Sequence, residues 1–288
     1  MTYDVCIIGT GPAGLSAAIN FKLHNKSVLW FGSKDMSLKV EKSEKIANYP
    51  GIPYVSGPDL NARFMAQAEE MGLEITDKMV TNISATKKGF MVLADNEIYQ
   101  AKALLLAIGA FTAKPLPGEA EYLGRGVSYC ATCDGFLYKG KTIAVHCGAE
   151  KYEHEVEYLA EIADKVYLSS GYKGSKVDLP NVEHLASPIG KVNGEMKVTG
   201  IETVKGEAHD VEGVFILRTA VAPTTLMNGL EMDGPHIVVD RDMKTSKRGC
   251  FAAGDCTGRP YQITKAVGEG NIAAHSIIEY LAELDKEQ

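Results

Sequence analysis

The 288-residue chain is 45% hydrophobic and 23% charged, too long for one small core, and its length predicts two domains. A formal charge of −7 lacks the basic excess of a nucleic-acid binder, and no apolar run approaches the roughly eighteen residues that read as a membrane span. The N-terminus, MTYDVCIIGTGPAG, enters a strand at once without a basic leader or cleavage site, so a cytoplasmic location is expected, with the six cysteines reduced or catalytic.

In chain order, residues 4–9 (DVCIIG) form an apolar, β-branched run that ends in a glycine turn. Residues 12–25 then show helical periodicity, with Leu15, Ala18, Ile19 and Leu23 on one side. Residues 27–31 (SVLWF) follow as a strand, completing a βαβ unit that opens a doubly wound sheet. The same succession recurs mid-chain: strand 141–147, helix 152–162, strand 165–170. An α/β protein of two Rossmann-like domains in tandem is therefore expected. Pro115, Pro117 and Gly118 suit a hinge, and Ala222-Pro223 a return crossing.

Gly9-Thr10-Gly11-Pro12-Ala13-Gly14 matches the dinucleotide fingerprint in its proper setting, after a strand and before a helix. Gly9 permits the tight turn, Gly11 lets backbone approach a pyrophosphate, and Gly14 lets the helix pack on the strand. The second strand ends Phe31-Gly32-Ser33, without the acidic residue that holds a ribose hydroxyl, so the fingerprint alone does not choose the dinucleotide. Gly254-Asp255 gives a second signal, a carboxylate at a strand end, where open α/β sheets bind ligands; taken alone, it also fits an ordinary turn aspartate.

Cys130-Ala131-Thr132-Cys133-Asp134 contains two cysteines spaced to close a small disulfide loop and exchange with another disulfide. Half of a zinc site has the same spacing, but no second CxxC exists and the seven histidines are scattered, so no metal is expected. Asp134 can give a proton to a leaving thiolate or merely cap a turn. Cys6, Cys147, Cys250 and Cys256 fall in or beside apolar strands and read as packing thiols.

GTGPAG (9–14), ANYPG (47–51), AIGA (107–110), GRGVSYCATCDGFLY (124–138) and FAAGD (251–255) together resemble the low-molecular-weight thioredoxin reductase family over nearly the whole chain. That resemblance implies two three-layer (ββα) domains of the flavoprotein disulfide reductase type. An FAD-binding domain would comprise 1–115 and 220–288, and a CxxC domain would be inserted at 116–219. It further implies FAD contacts at Gly9, Gly11, Pro12, Ala13, Gly14, Ala107, Gly109, Gly254 and Asp255, and at Asn48, Gln262 and Ile263. Cys133 would lie toward the flavin, Cys130 would meet thioredoxin, and Asp134 would be the acid. A homodimer is implied, as is a rotation between domains hinged near 114–118 and 220–223.

The second domain departs from the family pattern. His146-Cys147-Gly148-Ala149-Glu150-Lys151-Tyr152 replaces the second glycine fingerprint, and only Gly148 survives. Side chains where backbone must meet pyrophosphate, with Glu150 at an anion site, oppose dinucleotide binding. After the next strand, Ser169-Ser170-Gly171-Tyr172-Lys173-Gly174-Ser175-Lys176 lacks the arginine cluster for a 2′-phosphate, and the return segment reads Thr219-Ala220-Val221-Ala222-Pro223. The chain thereby resembles the ferredoxin-dependent flavin thioredoxin reductases, which implies ferredoxin as electron donor. An NADPH-dependent enzyme with a degenerate site is the nearest alternative. A dithiol serving another carrier and a flavin-bound redox sensor are the others. Lys34, Lys39, Lys42 and Lys45 form a candidate cluster for ferredoxin, diluted by Asp35, Glu41 and Glu44, against the reading of a solvated loop.

Overall fold

The computed structural model describes residues 2–287 except 96, 111–114, 130 and 219–222, and for Cys133 and Glu287 the backbone alone. The chain divides into two compact units, Met1–Thr112 with Ala222–Gln288, and Ala113–Val221.

The first unit begins with β1 (Thr2–Ile8), whose Val5, Cys6 and Ile7 are fully buried, the pattern of a strand covered on both faces. Helix α1 (Pro12–Leu23) follows, with proline at its start, where a missing N–H costs nothing. Ala13, Leu15, Ala17, Ala18 and Phe21 are all buried, which is more than one face of the helix. Leu23, expected on the buried side, is 66% exposed. The helix ends there, and the chain leaves through Asn25 in the left-handed region, so the last residue of the apolar period lies beyond the cover that buries the rest.

Next come β2 (Val28–Phe31), α2 (Leu38–Glu41), α3 (Gly57–Glu70), β3 (Ile75–Thr76), β4 (Val80–Thr86), β5 (Gly89–Ala94) and β6 (Glu97–Leu106). Ser37 and Ser56 cap α2 and α3, each accepting a backbone N–H from the first turn. Strand β6 lies parallel to β1, while β4 and β5 form an antiparallel extension beside its first half.

The second unit is built on a five-stranded parallel sheet in the order β10-β9-β8-β14-β7. Its members are β7 (Val127–Ser128), β8 (Thr142–Cys147), β9 (Lys165–Ser170), β10 (Val182–His184) and β14 (Gly213–Leu217). The short helix α4 (Ala131–Asp134) follows β7, and α5 (Glu153–Ile162) joins β8 to β9. Val156 and Leu159 of α5 pack with Ile143, Val145, Val166, Leu168 and Phe215 of the sheet in one core. Strands β11 (Ile189–Gly194), β12 (Val198–Thr203) and β13 (Ala208–Asp210) add an antiparallel layer.

The chain then returns to the first unit through α6 (Pro223–Leu226), β15 (Met232–Asp233), β16 (His236–Ile237), β17 (Cys250–Ala252) and α7 (Ile263–Glu287). Strand β17 docks in parallel on the far side of β6. At the carboxyl edge of the sheet, Ile8, Leu106 and Ala252 therefore stand side by side. In an open α/β sheet, that edge is where ligands bind. Among the described residues, no helix is long and apolar enough to cross a membrane, and no group of three His, Cys, Asp or Glu side chains is placed to hold a metal.

Candidate active site

Three chain segments meet at the carboxyl edge of the first unit's sheet. The turn from β1 into α1 is held by the Gly9 N–H, which donates to Phe31 O at 2.8 Å, and by the Trp30 indole, which donates to Gly9 O at 2.9 Å. Gly9 has φ +114°, and a Cβ there would lie 2.1 Å from Ala107 O. A Cβ at Gly14 would lie 2.0 Å from Gly9 O. These two glycines are thus required by internal packing. Gly11 differs, because a Cβ there meets nothing within 4 Å. It begins α1, and no side chain caps the helix. Pro12 and Ala13 open that helix, and its free N–H groups with their partial positive charge face the open side of the turn.

Ala107 and Gly109 follow β6, and the Ala107 N–H donates to Ile8 O at 2.8 Å, tying the two strand ends together. Beyond β17, Gly254 and Asp255 form the third segment. Asp255 is half-buried and ion-paired with Lys39. A network that sequence reasoning missed fixes this turn. Glu269 accepts from the Gly254 N–H and the Thr257 hydroxyl, both at 2.8 Å, while Lys265 reaches Gly254 O at 2.9 Å and Glu269 at 2.9 Å. The four-residue spacing of Lys265 and Glu269 on α7 was its only trace in the sequence. Asn48 and Gln262, distant in sequence, hydrogen-bond directly at 2.7 Å, and Ile263 starts α7 against the core.

In the second unit, β7 leads to the CxxC segment. The Ser128 hydroxyl donates to the half-buried Asp134 carboxylate at 2.6 Å. Cys130 and the Cys133 side chain lie outside the described residues, as do residue 114 of the first expected hinge and 220–222 of the second. At the end of β7 is a cluster with no sequence signal. Glu119, fully buried, accepts from the Tyr129 hydroxyl at 2.7 Å and the Leu116 N–H at 2.8 Å, and pairs with the guanidinium of Arg218. Burial first, and then this guanidinium, lowers the pKa of the nearby His146. The four remaining cysteines are free and buried. Burial pushes the Cys250 and Cys256 thiols up to about 12 and raises Cys6 and Cys147 as well, so all four are protonated and inert near neutrality.

Residues 3–150 and 182–270 match the pyridine nucleotide-disulphide oxidoreductase family. The thioredoxin reductase of Bacillus subtilis (strain 168) is 33% identical, the alignment covering 99% of this chain and 96% of that one. This chain belongs to the thioredoxin reductase family. A solved ferredoxin-flavin thioredoxin reductase from Clostridium acetobutylicum superposes with a TM-score of 0.92 at 43% identity, covering 99% of both chains. A thioredoxin reductase from Gloeobacter violaceus gives 0.78 at 31% identity, covering 98% of this chain and 95% of its own.

The family's members are FAD flavoproteins, and FAD is the cofactor here. The first unit fits that cofactor. The open Gly11 position and the uncapped start of α1 offer backbone donors to a pyrophosphate, and the Asp255 carboxylate can accept from a polyol hydroxyl.

The family match leaves out 151–181, which holds α5, β9 and the loop after β9. There β8 runs through a 3-10 turn (Glu150–Tyr152) before α5 starts at Glu153. One Glu153 oxygen accepts from the Tyr172 hydroxyl at 2.6 Å, the Ser175 hydroxyl at 2.8 Å and the Lys176 N–H at 2.8 Å. The Tyr172 bond, and then that of the Lys176 backbone, hold the Glu153 carboxyl below the usual carboxylate range. The Lys176 ammonium pairs with Glu150 at 2.5 Å.

Proposed function

We propose that this chain is an FAD-containing thioredoxin reductase that receives electrons from ferredoxin rather than a pyridine nucleotide, and passes them to thioredoxin through Cys130 and Cys133. The observation that carries this reading is Glu153. At the start of α5, where a pyridine nucleotide's phosphates would approach, Glu153 places a carboxylate that already takes the Tyr172, Ser175 and Lys176 donors of the loop after β9. A second anion there would meet both Glu150 and Glu153, and no arginine stands in the 169–176 loop to offset them. The likeness to the Clostridium acetobutylicum ferredoxin-flavin enzyme supports the same donor. The names of the sequence relatives support thioredoxin as acceptor.

On this reading, 1–115 with 220–288 binds FAD, and 116–219 carries the dithiol. Gly9, Gly11 and the first turn of α1 hold the pyrophosphate. Asp255, Asn48 and Gln262 hold the flavin and its ribityl chain. When bound, FAD takes electrons singly and hands them in pairs to the Cys130–Cys133 disulfide. The Cys130 thiolate then attacks one sulfur of the thioredoxin disulfide. A mixed disulfide forms, and the displaced thioredoxin thiolate takes a proton from Asp134, whose carboxyl Ser128 orients. Cys133 attacks the Cys130 sulfur, restoring the enzyme disulfide and releasing the second thioredoxin thiol. Two electrons and two protons are consumed per turn. A ferredoxin near about −400 mV and a thioredoxin near about −270 mV make the transfer about 6 kcal/mol downhill for two electrons. The working unit is proposed to be a homodimer, which sedimentation of the holoprotein checks.

The test is turnover. Thioredoxin thiols are counted under argon with either reduced ferredoxin or NADPH as sole reductant. Thiols with ferredoxin and none with NADPH are expected; the reverse pattern overturns the donor assignment.

A further inference from the structure

Three segments of the first unit converge around the Asn48–Gln262 pair. Helix α2 sends Lys39 to Asp255 and places its ammonium 4.7 Å from the centre of the Tyr261 ring. The 46–55 segment, folded back by the Ile46–Val55 and Tyr49–Ile52 bridges, brings the Lys45 ammonium 4.3 Å from the centre of the Tyr54 ring. The loop after β17 sets the Arg259 guanidinium 5.6 Å from the Tyr261 ring, so two cations share that ring. The Tyr261 hydroxyl is itself fixed by the His236 imidazole at 2.7 Å.

The charges of this face are not cancelled locally. Lys42, Lys45 and Arg259 are exposed, and among the described residues none has a carboxylate within ion-pair distance. Glu41 is engaged by the Asn61 amide at 3.0 Å, and Asp255 by Lys39. Asp35 and Glu44 are the exposed acids left on the same stretch. Tyr54 is 70% exposed, its ring covered on one side only by Lys45. An exposed tyrosine and an arginine are the residue types that anchor interfaces, and lysines around them attract a partner of opposite charge.

We propose that this face, centred on Lys42, Lys45, Tyr54 and Arg259, is the docking surface of a small acidic iron–sulfur electron carrier. The proposal rests on the ferredoxin reading and specifies where that donor binds. Charge complementarity selects the occupant. A protein of formal charge −7 repels an acidic carrier overall, so productive encounters need a local cationic face. This one rims the residues assigned to the flavin. Each docking oxidises one carrier by one electron, and two dockings supply the pair that a disulfide consumes.

The experiment is stopped-flow flavin bleaching in FAD-loaded protein with reduced ferredoxin at several ionic strengths. Lys42→Glu/Lys45→Glu and Arg259→Glu are compared with Lys87→Glu/Lys88→Glu, which changes net charge as much as the first pair but lies in the β4–β5 turn. At low salt the two patch variants should lose about tenfold or more in second-order rate, with a flattened salt dependence, while the turn variant stays within about twofold. Dithionite, which needs no docking, should bleach all four proteins alike. Patch variants within about twofold of the wild type, or a turn variant slowed equally, would overturn the surface alone. A wild-type protein bleached by dithionite but not by ferredoxin would overturn the donor assignment and this surface with it. Flavin content is measured first. Should Arg259→Glu lose cofactor, the double lysine variant carries the test.

Discussion

At Glu153 one carboxylate oxygen collects three hydrogen bonds and fastens the 172–176 loop to the start of α5. Its pKa is depressed in the folded protein, so this tie is at full strength above the ordinary glutamate value of about 4.3 and is lost as pH falls through the lower folded value. The protection of the 172–176 amides from hydrogen exchange should therefore drop once pH falls below the ordinary glutamate range in the wild type and show no such step in Glu153→Gln. Glu119 is a different case, a buried carboxylate facing a mostly buried guanidinium. Removing it takes away the buried carboxylate that faces Arg218, so Glu119→Ala should lose roughly 3–5 kcal/mol in urea unfolding. A loss under 1 kcal/mol would mean the pair is not closed in solution. At the dithiol, Cys133→Ser should accumulate a mixed disulfide between Cys130 and thioredoxin, visible on a non-reducing gel. Cys130→Ser should form none, and the opposite pattern would exchange the two roles.

At the scale of elements, the tightest coupling joins β1, α1 and α7. Gly14→Ala places a Cβ 2.0 Å from Gly9 O, which must push α1 off its strand. Overpacking of this kind costs about 1–3 kcal/mol, and FAD content measured after desalting should fall with it, because the displaced turn is the one proposed to hold the pyrophosphate. This unit was readable in the sequence because each signal is local. An unbroken apolar run makes β1, glycine spacing makes the turn, and proline starts the helix. Leu23 misled because periodicity says which side a residue is on but not where the cover stops. The Glu119–Arg218 pair was invisible because its partners are 99 residues apart, and no local pattern marks a long-range ion pair. The lysines on and around α2 were visible as a cluster. Arg259 and Tyr261, which complete that face, became its neighbours only once the loop after β17 folded beside them.

For the whole molecule, the two units share a βαβ beginning but differ at the turn that matters. In the first, Gly11 opens onto free space and α1 starts uncapped. In the second, a 3-10 turn stands between β8 and α5, and Glu153 at the helix start is tied to the 172–176 loop. On the proposed reading, the first unit seats the flavin's pyrophosphate and the second takes no NADPH. The sequence already carried this contrast, in the glycines kept at 9–14 and lost at 146–152. What it lacked was the positive reason for closure, because Glu153 finds its partners only when the 172–176 loop folds back. The most direct measurement is an anaerobic titration of the FAD-loaded protein with NADPH, followed at the flavin's visible absorption maximum, with reduced ferredoxin added afterwards. The flavin is expected to stay oxidised through excess NADPH and to bleach on ferredoxin. Rapid stoichiometric bleaching by NADPH would contradict the closure of the second unit's nucleotide site.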